Sequence, residues 1–153
     1  MIDGISSLSN DEKLSNGEKA NAGSKAVLSE SGHEIRAAAY LGDAVFELCA
    51  REYLVKKGIT DIARLNKEAK KLVSASAQAK LFKALIPALT DEETGIYKKA
   101  RNIGHSRSSK NADPVEYRIA TGIEALFGEL YLEGKIERIN ELFSILASNA
   151  DDI

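Results

Sequence analysis

Asp43 and Glu47 stand one helical turn apart in the stretch YLGDAVFE, whose other residues are mostly apolar, and Arg51 continues the same spacing. Far along the chain, Glu124 interrupts the apolar run GIEALFGELYL, with Ala120, Ile123, Ala125, Leu126 and Phe127 around it on a helix. Gly122 and Gly128 in that run each give up about 1 kcal/mol of helix propensity, which is consistent with close packing. A carboxylate in such surroundings is costly unless it is hydrogen-bonded, paired with a cation or bound to a metal. Brought together across a helix–helix contact, Asp43, Glu47 and Glu124 would form a pocket of oxygen ligands that suits Mg²⁺, which takes few carboxylates and keeps several waters or substrate phosphates. Plainer roles stay open for the first two. Asp43 and Glu47 could line a solvated stripe with a Glu47–Arg51 pair worth about 0.3 kcal/mol, or Asp43 could cap a helix after Gly42.

Other metal and nucleophile chemistries fit poorly. A di-iron carboxylate bundle needs repeated Glu-x-x-His pairs, and the two histidines, His33 and His105, are not in that spacing. One cysteine and two distant histidines are too few for zinc. Cys49 lies between Leu48 and Ala50 with no histidine near it, so it reads as a buried small side chain rather than a nucleophile.

A second feature is charge. Over residues 98–118 Lys98, Lys99, Arg101, Arg107, Lys110 and Arg118 face only Asp113 and Glu116, six cations against two acids, in a chain whose net charge is -2. Asn102, Asn111 and three serines add groups that bond phosphates and sugars. A solvated loop explains such a stretch equally well, but this one leads into the helix bearing Glu124. Basic grips beside a carboxylate pocket are what a metal-dependent phosphodiesterase needs. Arg64, Lys67, Lys70 and Lys71 form another basic run, broken only by Glu68, and read either as more phosphate track or as a solvated face.

The elements that must position these residues are all helical. Ala, Leu, Ile, Glu and Lys dominate from about His33 onward, strand-like alternation is absent, and proline occurs only at 87 and 114. The first helix is expected over about 32–57, with Leu41, Ala44, Val45, Leu48 and Val55 at helical spacing and Gly58 ending it. Thr60 or Asp61 caps a second; a third covers about 74–85 and stops before Pro87. Thr90 and Glu93 fit a capping box for a fourth, reaching about residue 102. Asp113 and Pro114 open a fifth, closed by Gly134, and 135–146 supply a sixth.

At 153 residues one domain is the default. Residues 1–30 hold six Ser, three Asn and three Gly with few large apolar side chains, the composition of a disordered extension. The domain is therefore expected over 31–148, with a short tail at 149–153. No apolar run reaches membrane-span length, the first residues lack the pattern of a secretory signal, and the lone cysteine suits a reducing compartment. A cytoplasmic protein with no membrane partner is the expectation.

YLGDAVFEL resembles the signature helix of the ribonuclease III catalytic domain, and EALFGELYLE resembles that family's second acidic motif. With AAAYLGDAVFELCAREYLVKKG, VSASAQA, KKARNIGHSRSSKN and YRIATGIEALFGELYLEGKIERINEL, the fuller likeness is to the Mini-III ribonucleases, the short branch without a double-stranded-RNA-binding domain. It covers about residues 33–146. The resemblance implies an all-α, dimeric, Mg²⁺-dependent endonuclease for double-stranded RNA, with Mn²⁺ as an alternative ion and the ends of large-subunit (23S-type) ribosomal RNA precursor as substrate. By the same likeness Asp43 and Glu124 are the catalytic metal ligands, and Arg101, Asn102, Arg107, Lys110 and Asn111 approach the RNA; Glu47, one turn from Asp43, either gives support or only pairs with Arg51. Two further acids of full-length ribonuclease III are replaced by Ala39 and Thr121, in keeping with the short branch. That leaves the number of ions open. A non-catalytic RNA-binding relative and a helical protein-interaction module are the two rival functions.

Overall fold

The computed structural model describes residues 32–103 and 113–150. The expected extension over 1–30 lies outside these residues, and of the expected tail Asn149 and Ala150 belong to the last helix. Among the described residues six α-helices follow one another: α1 Gly32–Lys56, α2 Ile62–Val73, α3 Ala75–Leu85, α4 Asp91–Ile103, α5 Pro114–Leu132 and α6 Ile136–Ala150, with a 3₁₀ turn at Ile86–Ala88. Among the described residues there is no strand, so the all-α expectation holds.

Local chemistry sets the helix ends. Gly58 and Gly134 adopt φ of 82° and 70°, left-handed values that favour glycine just beyond a helix. Asp61 accepts from the Arg64 N–H at 2.8 Å and starts α2. Ser74 caps α3 rather than forming its first turn. Thr90 Oγ1 accepts from the Glu93 N–H at 3.2 Å while Glu93 accepts from the Thr90 N–H at 2.9 Å, the reciprocal box expected from the sequence. Asp113 accepts from the N–H groups of Val115 and Glu116, with Pro114 as the first helical residue.

α5 is the central helix, buried continuously from Ala125 to Leu130, and α1, α3 and α4 pack around it. Phe46 from α1 meets Phe127 of α5 and Phe143 of α6 edge-on, with ring centroids 5.1 and 5.4 Å away. Cys49 is fully buried, and burial pushes its thiol up to about 12, so it is packing rather than a nucleophile. One expectation is corrected. The buried side of α1 runs through Ile35, Ala38, Val45, Phe46, Cys49 and Leu54, whereas Ala44, Leu48 and Val55 are exposed. Helical spacing alone could not tell which of two apolar stripes faces α5.

A polar clamp closes the far side of the bundle. The Arg138 guanidinium on α6 donates to both oxygens of Glu93 on α4, at 2.8 and 2.9 Å, and to the Ala88 carbonyl at 2.6 Å. Glu93 is buried, and this guanidinium holds its carboxyl below the usual carboxylate range. Arg138→Met is expected to cost about 2 kcal/mol, below the usual cost of orphaning a buried charge because the arginine is partly exposed. Glu93 has the lower pKa in the folded state, so the pair's stabilisation is present above 4.5 and lost as pH falls through the folded value. Thermal unfolding should therefore show a gap between variant and wild type that closes in acid.

Candidate active site

Two glycines decide where the acids meet. A Cβ added to Gly42 would lie 1.6 Å from the Glu124 carbonyl oxygen, and one added to Gly128 would lie 1.9 Å from that of Ala38. α1 and α5 thus cross backbone against backbone, a contact that any side chain at these positions would prevent. Asp43, next to Gly42, is thereby held beside Glu124. Gly122, two residues before Glu124, receives the ring of Tyr97 from α4, whose Cδ2 would be 2.5 Å from an added Cβ.

The two carboxylates occupy different settings. Asp43 is exposed at the rim and Glu124 is partly buried behind it. Burial, and then the charge of Asp43, raise Glu124 to about 7, while a hydrogen bond from Gln78 acts the other way. Asp43 is raised by burial and by the charge of Glu47. Because Glu124 keeps its proton to higher pH, it is uncharged while Asp43 ionises, which is why the repulsion falls on Glu124.

Glu47 points elsewhere. It accepts from Arg51 Nε at 3.0 Å and from Nη2 of the same guanidinium, the i, i+4 pair that the spacing allowed. Among the described residues no three His, Cys, Asp or Glu side chains gather in a metal-holding group; Asp43 and Glu124, coupled through charge, are the candidate donor set, with Glu47 acting on Asp43 as a neighbouring charge. That donor set fits Mg²⁺: two hard oxygen ligands whose mutual repulsion a cation would relieve, leaving positions for water or substrate oxygens. Asp43 and Glu124 are the residues that would hold it.

Of the expected RNA contacts, Arg101 and Asn102 are exposed at the end of α4, with the Arg101 guanidinium 5.8 Å from the Tyr97 ring centroid. Neighbouring Ala100 packs with Ile35, Ala39 and Ala125, which places this helix end against the crossing of α1 and α5. Arg107, Lys110 and Asn111 lie outside the described residues. Sequence reasoning missed Gln78. Its buried amide donates to the Val73 carbonyl at 3.0 Å and to Glu124 Oε1 at 3.4 Å. The signal was a lone amide within ASAQAKLF, where every other inward position is Ala, Leu or Phe.

The raised pKa of Glu124 has a stability consequence with a definite sign. Its folded value of about 7 exceeds the ordinary 4.5, so the favourable contribution of the protonated form is complete below 4.5 and lost as pH rises through 7. Without metal the protein should lose about 3 kcal/mol across that window, the free-energy equivalent of the shift. A cation bound between the two acids would reverse the trend. Thermal melts at pH 5 and pH 8, with and without Mg²⁺, check both statements: the increment from Mg²⁺ should be larger at pH 8.

A six-helix domain whose central pair crosses at glycines and sets two acids side by side is a recognisable class, and comparison with known proteins supplies the family. Residues 36–135 match the family model described as Ribonuclease III domain. Mini-ribonuclease 3 of Brevibacillus brevis is 47% identical over 104 residues, covering 68% of this chain and 78% of that protein. The Mini-ribonuclease 3 of Enterococcus faecalis is 44% identical over 110 residues, covering 71% and 83% respectively. Among solved structures, an X-ray structure of a protein from Fusobacterium nucleatum superposes with a TM-score of 0.66 at 36% identity, covering 75% of this chain and 92% of that one. The chain belongs to the ribonuclease III domain family, a family of endoribonucleases.

Proposed function

We propose that this protein is a Mg²⁺-dependent endoribonuclease that cuts double-stranded RNA, with Asp43 and Glu124 as the metal ligands. The observation that supports the reading is the close crossing of α1 and α5 at Gly42 and Gly128, beside which the charge of Asp43 raises Glu124. Bound Mg²⁺ would supply Lewis-acid chemistry at a phosphodiester and an activated water. Asp43, being exposed, meets the substrate side; Glu124, partly buried and held by Gln78, fixes the inner side. Arg101 and Asn102, with Arg107, Lys110 and Asn111 of the following segment, bind phosphates and 2′-hydroxyls, so duplex recognition rests on shape. Mn²⁺ can replace Mg²⁺ in such an oxygen site. Following the resemblance to the Mini-III ribonucleases, the proposed substrate is large-subunit (23S-type) ribosomal RNA precursor, processed in the cytoplasm. No helix among the described residues is long and apolar enough to cross a membrane.

The working form is proposed to be a homodimer. Tyr40 is 86% exposed, Leu48 40% and Val55 59%, and with Ala44 they make an outward apolar stripe along α1 beside Asp43. A two-fold pairing through this stripe would bring two sites to one duplex, one for each strand. Leu48→Glu should shift the protein to monomer in sedimentation at micromolar concentration with little change in its circular dichroism; an unchanged dimer would place the seam elsewhere.

Incubation of labelled duplex RNA with and without Mg²⁺ tests the activity. Cleavage only with Mg²⁺ supports it. Duplex binding without turnover would favour a non-catalytic relative, and no affinity even at low salt would favour a protein-interaction module.

A further inference from the structure

Gln78 is an amide only 1% exposed, on a stretch of α3 whose other inward residues, Ala77, Leu81 and Phe82, are apolar. Burying an amide is costly unless its polar atoms are bonded. The break between α2 and α3 supplies the first bond. In an unbroken helix the Val73 carbonyl would accept from the Ala77 N–H. Ser74 instead adopts an extended backbone, at φ -66° and ψ 148°, and takes that N–H on its own Oγ at 3.3 Å. The Val73 carbonyl is thereby left for Gln78, whose Nε2 donates to it at 3.0 Å.

The same nitrogen donates to Glu124 Oε1 at 3.4 Å. That bond is long, so its value lies in direction rather than in energy. The amide cannot turn over, because its oxygen would then face the Val73 carbonyl and a carboxylate, both of them acceptors. Gln78 Oε1 is accordingly left buried, accepting no hydrogen bond among the described residues.

With one oxygen of Glu124 tied to the amide, the carboxylate has its other oxygen for a cation and is hindered from closing on it with both. That difference separates two hard cations. Ca²⁺ takes about six to eight oxygens in flexible geometry and accepts bidentate carboxylates, whereas Mg²⁺ demands octahedral order and keeps several waters. Gln78 Oε1, on the same carbon as the donor to Glu124, is an acceptor for a water so retained.

We propose that Gln78 decides which cation the carboxylate site prefers: by holding Glu124 to one ligating oxygen it favours hydrated Mg²⁺ and disfavours Ca²⁺. The proposal rests on the reading of Asp43 and Glu124 as the ligands. Gln78 is not a ligand itself and acts through Glu124.

The test is displacement of Mn²⁺ from the full chain, without RNA, followed by recovery of the free-ion electron paramagnetic resonance signal as Mg²⁺ or Ca²⁺ is added. Gln78→Met conserves length and volume at the buried position and removes both amide groups. It should weaken Mg²⁺ by about tenfold, the lower range for losing an outer partner of a metal ligand, and Ca²⁺ by less, moving the ratio of the two constants towards Ca²⁺ by about threefold or more. Gln78→Glu keeps the shape, removes the donors and adds an oxygen, so the ratio should move the same way and further; this variant carries the test alone if the first does not fold. Arg138→Met, which destabilises the fold far from the site, should leave the ratio unchanged. An unchanged ratio in the Gln78 variants, with Mn²⁺ bound by wild type, would overturn the role of Gln78 and leave the cation site standing. An equal shift in Arg138→Met would also overturn it, because the ratio would then follow stability. A wild type that binds no Mn²⁺ would overturn the site and the proposal together.

Discussion

Asp43→Asn is expected to abolish Mg²⁺-dependent cleavage of duplex RNA, lowering the rate by at least about 100-fold, the upper range for perturbing even the outer surroundings of a metal site. The substitution keeps the shape of the side chain and removes a charge that is exposed at the rim of α1. It should leave the fold intact. It should also relieve Glu124, whose pKa that charge helps to raise, so the variant should melt no lower than wild type, and higher near pH 8 without metal. Loss of activity combined with equal or greater stability is the mark of a functional acid rather than a structural one. A variant that cuts at the wild-type rate would remove Asp43 from the site.

Gly42→Ala is expected to be the most damaging alanine substitution among the described glycines. The added methyl would stand 1.6 Å from a backbone oxygen of α5, which cannot swing away as a side chain tip could. Relief requires separating α1 from α5, so the cost should be at least about 3 kcal/mol, the top of the usual range for overpacking. Part of that separation falls on Glu124 itself, since the carbonyl in question is its own. Activity should therefore fall further than the folded fraction does, which parallel measurement of melting and of cleavage per folded molecule would reveal. Gly58→Ala provides a contrast: nothing lies within 4 Å, so its cost comes only from the positive φ.

Much of this was legible in the sequence because it is written locally. Caps and stops at Gly58, Asp61, Thr90, Asp113 and Gly134 act over three or four residues, and each marks a helix end to within a few positions. Glu124 stood out because a carboxylate among Ile123, Ala125, Leu126 and Phe127 has no inexpensive explanation. What the sequence hid depends on partners distant along the chain. Gly42 could be read as the residue before a helix cap, and only the approach of α5 shows that it is the crossing point. α1 carries two apolar stripes, and their spacing does not say that Val45 and Cys49 face inward while Leu48 and Val55 face out. Gln78 acquires meaning only through its bond to a residue 46 positions away. For Glu47 the spacing allowed either support for the site or a pair with Arg51, and its carboxylate is on Arg51.

The same locality explains the two basic runs. Arg64, Lys70 and Lys71 read either as phosphate track or as a solvated helix face, and only packing shows that the end of α1 and the start of α3 supply Lys57 and Lys80 on the other walls of a shared groove. Charge clusters of this kind are assembled by packing, and a pass along the chain sees only one wall at a time.

The most direct measurement is the binding of Mn²⁺, followed by the loss of its free-ion electron paramagnetic resonance signal at pH 7.5, in wild type, Asp43→Asn and Glu124→Gln. The expected result is depletion of the free ion by wild type and none, or at least about tenfold weaker binding, by either variant. Equal depletion by all three proteins would contradict a cation held between Asp43 and Glu124.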